Sequence, residues 1–247
     1  VKRENAEAKG EKYIANRLPR DISLMQDWYW SQGAIQWHND GNKAAIMLEA
    51  WDNKDRWLAT VDTVAATLVN QHRLHDKAWV NYKFNSYGWL NNSDVLYYLS
   101  EETGFSHLYI KPLNGQARAV TTGNYEVDAL TLSSDDQFIY FKANKKHPGI
   151  YEIYRVALKD NTLQVLTNLN GMTDYQLSPD EQSLLLSHSS LVRPPELYLQ
   201  SVTDKSAIQL TQTISQAFLD INWLAPDIVP IKSSHTEQPI YSRGLFT

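Results

Sequence analysis

The feature that most constrains the fold of this chain is a repeat. Four segments run in the same way from an apolar or aromatic strand into a polar turn and on into a second apolar strand. They are Ile35-Gln36-Trp37-His38-Asn39-Asp40-Gly41, Gly88-Trp89-Leu90-Asn91-Asn92-Ser93-Asp94, Thr131-Leu132-Ser133-Ser134-Asp135-Asp136 and Gln176-Leu177-Ser178-Pro179-Asp180-Glu181. Trp37, Trp89, Leu132 and Leu177 hold equivalent places and lie 52, 43 and 45 residues apart. That is the period of a four-stranded propeller blade.

Each unit continues in one order. A second strand, alternating or wholly apolar, is expected over Lys43 to Trp51, Val95 to Ser100, Phe138 to Ala143 and Ser183 to Ser187. A third, with an aromatic core, spans Arg56 to Val61, His107 to Leu113, Tyr151 to Leu158 and Glu196 to Val202. A short amphipathic fourth spans Thr67 to Arg73, Ala117 to Thr121, Leu163 to Thr167 and Ala207 to Thr211, three of these ending in threonine. One such unit cannot bury both faces by itself, and stacking on neighbours supplies the missing core. The 14 Tyr and 8 Trp suit a pleated, half-buried surface. Asp40-Gly41, Thr103-Gly104 and Asn114-Gly115 fall where tight turns are needed.

The expected architecture is therefore an all-β propeller segment of four four-stranded blades, about 33–76, 77–123, 124–168 and 169–212. Residues 1–32 read as a linker or edge segment. Within it Glu4 to Ile14 form a short helix or an extended linker, and Trp28-Tyr29-Trp30 pack on the first blade. Residues 213–247 hold Ala217 to Trp223, a break at Pro226 and two β-like runs, Ile228 to Lys232 and Ile240 to Phe246, which read as a hairpin opening another domain. The start at Val1 and the strand-like Leu245-Phe246-Thr247 read as cut ends of a longer polypeptide.

Composition removes several classes of function. A net charge of -5 offers no basic field for nucleic acid or anionic lipid. No apolar run approaches the roughly 18 residues that span a bilayer. With no cysteine, neither a disulfide framework nor a thiolate site is possible. No G-x-S-x-G elbow occurs, since no two glycines lie four apart. No catalytic residue and no cofactor are expected.

Ala78-Trp79-Val80, then Ser100-Glu101-Glu102-Thr103-Gly104-Phe105-Ser106-His107-Leu108-Tyr109, then Thr121-Thr122-Gly123-Asn124-Tyr125-Glu126-Val127 resemble the dipeptidyl peptidase IV branch of the prolyl oligopeptidase family. That branch carries W-V, S-E-x-x-G-x-x-H-L-Y and T-x-G-x-W-E-V in this order, with Tyr125 here in place of the last Trp. The resemblance runs from about Gly33 to Leu245. It implies the C-terminal part of a propeller that covers an α/β-hydrolase domain bearing Ser, Asp and His. Pro226 to Ser233 and Ser242 to Leu245 look like the crossing into that domain. The parent would be a serine peptidase removing dipeptides or short peptides from peptide N-termini. The implied partners are a peptide substrate and the hydrolase domain of the same polypeptide, and a periplasmic or secreted setting is expected over a cytoplasmic one.

Candidate sites are few. Lys83-Phe84 falls where that family presents propeller side chains to substrate, so Lys83 and Phe84 are the substrate-binding candidates. Glu101-Glu102 precedes a Thr103-Gly104 turn and reads as a solvated turn; the family's amine-binding Glu pair lies upstream of this motif. His107 reads as a buried structural imidazole, and His72 with His75, at an i, i+3 spacing that a helix could turn toward a metal, follow a strand and lack a nearby third ligand. Asn91-Asn92-Ser93 reads as a turn rather than a glycosylation site. Arg193-Pro194-Pro195-Glu196, an R-P-P-E-L-Y turn in the family, marks a hairpin ahead of a strand that starts at Glu196. Open blade faces would favour self-association into a homo-oligomer. The competing class is a stand-alone interaction propeller of the TolB or WD-repeat type, whose S-P-D turn Ser178-Pro179-Asp180 reproduces. A sugar-active propeller would need carboxylates converging on the channel.

Overall fold

The computed structural model describes residues 21–25 and 35–245. The expectations for Glu4 to Ile14 and for Trp28-Tyr29-Trp30 lie outside the described residues. The chain forms two compact units, Val1–Tyr82 and Lys83–Thr247.

In the first unit β1 (Ile22–Leu24), β2 (Ile35–Trp37), β3 (Lys43–Ala50), β4 (Asp55–Asp62) and β5 (Thr67–His75) make one antiparallel sheet. β1 pairs with Leu48 to Ala50 and β2 with Ala44 to Ile46, so the two lie end to end along one edge of β3. The sequence reading anticipated only the second of these edge strands.

The second unit holds three four-stranded sheets, the last two joined into one eight-stranded sheet, and a two-stranded hairpin. β6 (Tyr87–Trp89), β7 (Val95–Ser100), β8 (His107–Pro112) and β9 (Arg118–Ala119) form one four-stranded antiparallel sheet in chain order. β10 (Val127–Leu132), β11 (Phe138–His147), β12 (Ile150–Ala157) and β13 (Leu163–Val165) repeat the plan, as do β14 (Met172–Leu177), β15 (Ser183–Ser190), β16 (Arg193–Ser201) and β17 (Ile208–Gln209). The last two sheets are stitched by a parallel bridge, Tyr151 to Met172, in which the Tyr151 N–H donates to the Gly171 carbonyl at 2.8 Å. A four-residue helix, α1 (Gln216–Leu219), and a hairpin of β18 (Asp227–Ile231) and β19 (Ile240–Gly244) follow. The structure is thus nearly all-β with the expected C-terminal hairpin, and no helix among the described residues is long and apolar enough to cross a membrane.

Strand periodicity explains the unbroken apolar runs. Successive side chains of a strand point to opposite faces. In β11, Ile139, Phe141 and Ala143 join a core with Leu99, Leu108 and Ile110 of the preceding sheet, while Tyr140 joins Leu184 and Leu186 of the following one. β12 divides likewise, with Tyr154 and Val156 on one side and Ile153 on the other. The sheet of β10–β13 is covered on both faces, so its central strands carry apolar residues at successive positions, as in Phe138 to Phe141.

The strand-to-strand turns lock one sheet to the next. Asp136, in a left-handed conformation at φ 59°, accepts the Asn91 backbone N–H at 2.8 Å and carboxamide at 2.9 Å, and the Asn92 N–H and carboxamide at 3.0 Å each. The equivalent Glu181, also at φ 59°, accepts the Ser134 N–H at 2.6 Å. Asn91-Asn92-Ser93 is therefore a turn whose carboxamides are engaged. Arg193-Pro194-Pro195 differs from expectation. β16 begins at Arg193, so both prolines lie inside the strand, beside a register break between His188 and Ser190 that relieves the ladder of their missing N–H groups.

The outer face of the last sheet is apolar and open. Leu185, Leu199 and Ile208 are cross-strand partners, and with Leu197 and Leu210 they are 39–67% exposed.

Candidate functional site

The threonines that end the fourth strands have a definite task. Thr167 Oγ1 accepts the Ile153 N–H at 2.9 Å and donates to the buried Glu152, whose other oxygen takes the Asn170 N–H at 2.8 Å. Thr211 Oγ1 likewise accepts the Leu197 N–H at 2.9 Å and donates to Glu196, which also receives the Thr213 N–H at 2.6 Å. These bonds, the Thr211 hydroxyl foremost, hold the Glu196 carboxyl below its usual range. His107 replaces the acid in the sheet of β6–β9: Thr121 Oγ1 accepts the Leu108 N–H at 3.0 Å and lies 3.1 Å from His107 Nδ1, with Nε2 2.9 Å from the Gly123 carbonyl. In the first unit the fully buried Asp55 does the same work through Arg73 at 2.7 Å and His75 at 2.9 Å. The H-L-Y and T-T-G segments are thus one hydrogen-bonded clasp. Its threonine and that of the His188–Thr173 pair, 3.0 Å apart, are buried, so neither presents a nucleophile to a substrate.

Burial lowers the His107 imidazole from 6.5, with the Lys145 ammonium acting the same way and the Gly123 carbonyl opposing. Burial lowers His188 too. With both folded values below the unfolded ones, the unfolded chain binds more protons in this range. Their contribution is complete above the unfolded pKa and is lost as pH falls through the folded one. The melting temperature should fall between about pH 7 and about pH 5, and His107→Asn should flatten part of that slope. A melting profile with the same slope in both proteins would contradict a neutral buried His107.

The substrate-binding candidates of the sequence part company. Phe84 is 2% exposed and belongs to the core between the sheets of β6–β9 and β10–β13, so its ring is turned into the protein. Lys83, its neighbour, emerges beside it, with its side chain 40% exposed. Its Nζ stands 5.0 Å from the Phe84 ring centroid, 5.5 Å from that of Tyr151 and 3.7 Å from Asp128. Residues remote in sequence complete the group. Lys142, buried in the middle of β11, is 4.0 Å from Asp128, 5.9 Å from the Tyr151 ring centroid and hydrogen-bonded to the exposed Asp174. Tyr151 donates to Glu126 at 2.9 Å, and burial followed by that carboxylate pushes its phenol well above the ordinary range. A bulge after Asp128 places Ala129 at φ 54° and lets the Asp128 carboxylate accept the Ala129 N–H at 2.8 Å. The result is a fixed array of two ammonium groups, three carboxylates and an aromatic ring, suited to the carbonyls, ammonium and side chains of a peptide.

Other candidates resolve simply. Glu101-Glu102 occupies the turn before β8, with the Gly104 N–H donating to the Glu101 carbonyl at 2.9 Å and Gly104 at φ 93°. His72 and His75 lie on β5, the latter on Asp55. In the first unit the Trp79-Val80 segment is held by the Val80 N–H on the Asn53 carbonyl at 2.7 Å and by Arg56 on the Asn81 carbonyl at 2.9 Å. This holds Trp79 and Tyr82 more than half exposed, their rings edge to face at 6.1 Å. Tyr125, where the resembled family carries Trp, fills the place with its ring under Lys145 at 4.6 Å and against His107 at 5.2 Å.

Comparison with known proteins agrees with this architecture. The crystal structure of Porphyromonas gingivalis dipeptidyl peptidase 4 superposes with a TM-score of 0.69 at 15% identity, over 85% of this chain and 30% of that one, a likeness of fold. Dipeptidyl peptidase 4 of Arthroderma otae is 29% identical over 138 residues, 54% of this chain and 18% of its own length. That of Trichophyton equinum is 30% identical over 83 residues, 33% of this chain and 11% of its own. The chain therefore spans less than a fifth of the curated relatives it matches. The family model for the dipeptidyl peptidase IV N-terminal region matches residues 10–195, three quarters of the sequence. The chain belongs to the dipeptidyl peptidase IV N-terminal region family.

Proposed function

We propose that this chain is the non-catalytic propeller portion of a serine-type exopeptidase of the dipeptidyl peptidase class, gating and positioning peptide substrates for an α/β-hydrolase domain of the same parent polypeptide. Membership of the family over residues 10–195 is the observation that carries the reading. The physical case is one of division of labour. Sheets clasped at both ends hold side chains in place before a ligand arrives, so little ordering entropy is lost on binding. The hairpin of β18 and β19 would lead toward the hydrolase domain.

In this reading Lys83 meets the peptide, and Phe84 holds the lysine stem from below. Titration of the purified chain with a short unstructured peptide, followed by tyrosine and tryptophan fluorescence, tests the assignment. Lys83→Ala should weaken binding by about threefold or more. Equal affinity of the two proteins would overturn the role of Lys83.

A further inference from the structure

The hairpin of β18 and β19 is seated, within the second unit, on the β11–β12 turn, and the seat leaves a cavity. Ile228 packs so closely on Gly149 that a methyl group there would lie 2.2 Å from its Cδ1. Tyr241 meets His147 edge to face, with centroids 5.7 Å apart. Between the hairpin, the bend at Asn170 to Met172 and the turn at Ser189 to Leu191 remains a space of about 450 Å³. Small-molecule sites commonly have this size.

The polar side chains that line the cavity are His147, Asn170, Ser189, Ser190, Asp227 and Arg243, and three of them supply nitrogen donors. Ile228 and Arg243 are direct cross-strand partners, so Arg243 projects from the face that seats Ile228 and Tyr241; Asp227, whose side chain leaves the strand on the other face, also lines the cavity at its edge position in the hairpin. The Arg243 guanidinium has no hydrogen bond or ion pair among the described residues. His147 Nδ1 accepts the Gly149 N–H at 3.1 Å, which leaves the proton of a neutral ring on Nε2, a donor. Lys146 occupies the carbonyl oxygen of the Asn170 carboxamide, which leaves its NH₂ as donor. The apolar wall is supplied by Ile228, with Met172 and Leu191 each 43% exposed. The lining thus carries nitrogen donors beside an apolar wall, with a guanidinium able to grip two oxygens at once.

We infer that this cavity is a binding site for a carboxylate carried next to an apolar group, with Arg243 as the principal anchor. Two sources share that chemistry, the C-terminal carboxylate of a short peptide and the side chain of an acidic residue. The inference stands apart from the role proposed for Lys83 and can fail without it.

N-Acetyl-leucine is the first probe and its primary amide the control, with binding to the full chain followed by ligand-detected NMR. N-Acetyl-aspartate amide, whose only carboxylate is on the side chain, separates the two sources. The acid should bind at least about tenfold more tightly than the amide, and Arg243→Ala should abolish the difference. Met172→Trp, a change at a half-exposed wall position, should block the cavity and reduce binding by a similar factor while leaving the melting temperature near that of the parent. Equal binding of acid and amide, or acid binding that survives both substitutions, would overturn the inference.

Discussion

Replacing Phe141 by alanine is expected to cost about 4 kcal/mol of stability, the range found when a fully buried aromatic is removed from a close-packed core. The ring is 0% exposed and lies stacked at 5.9 Å on Tyr154, within the cluster that joins the sheet of β6–β9 to that of β10–β13. Its loss leaves a hole that neither sheet can close, since Tyr140 and Lys142 on either side point to the opposite face. Equilibrium unfolding in urea measures the effect. A loss below about 1 kcal/mol would mean that these two sheets do not depend on each other for their core.

Gly171→Ala is the second large effect, and its cause is backbone crowding rather than volume lost. A Cβ there would sit 2.0 Å from the Ser189 carbonyl oxygen and 2.7 Å from His188 Cε1. The Gly171 carbonyl also receives the Tyr151 N–H that bridges the last two sheets. A methyl group must push the β15–β16 turn away or break that bridge, at about 3 kcal/mol. Gly104 provides the control. It has open space around it at φ 93°, so alanine there pays only the left-handed backbone cost, about 1 kcal/mol. Thermal unfolding of the two variants should rank them in that order. The reverse ranking would show that the crossing at Gly171 is loose.

The strands were legible because a chain covered on both faces must spell its central strands in apolar residues. Phe138 to Ala143 and Val95 to Ser100 announced themselves in that way. The terminal threonines were visible as a pattern. Their partners were not, because Glu152, Glu196 and His107 lie 14 or 15 residues away and differ in type. β1 was missed because three residues paired only at the far end of β3 carry no periodicity of their own.

The candidate site was legible only in part. Lys83-Phe84 could be singled out by resemblance, but the two lie at a bend ahead of β6, and packing against the two sheets sends Phe84 inward. Asp128, Lys142, Tyr151 and Asp174 come from four strands, so no local spacing could collect them. A lysine at the end of an apolar run, such as Lys142, was the one signal available, since a buried ammonium requires a carboxylate nearby.

The central claim is that stacked, clasped sheets form a scaffold and that bond cleavage belongs to another domain. Incubating the purified chain with a dipeptidyl p-nitroanilide, and following nitroaniline release across the fractions of a sizing column, tests it most directly. The prediction is a rate equal to that of buffer in every fraction. Release that co-elutes with the chain and scales with its concentration would contradict the account.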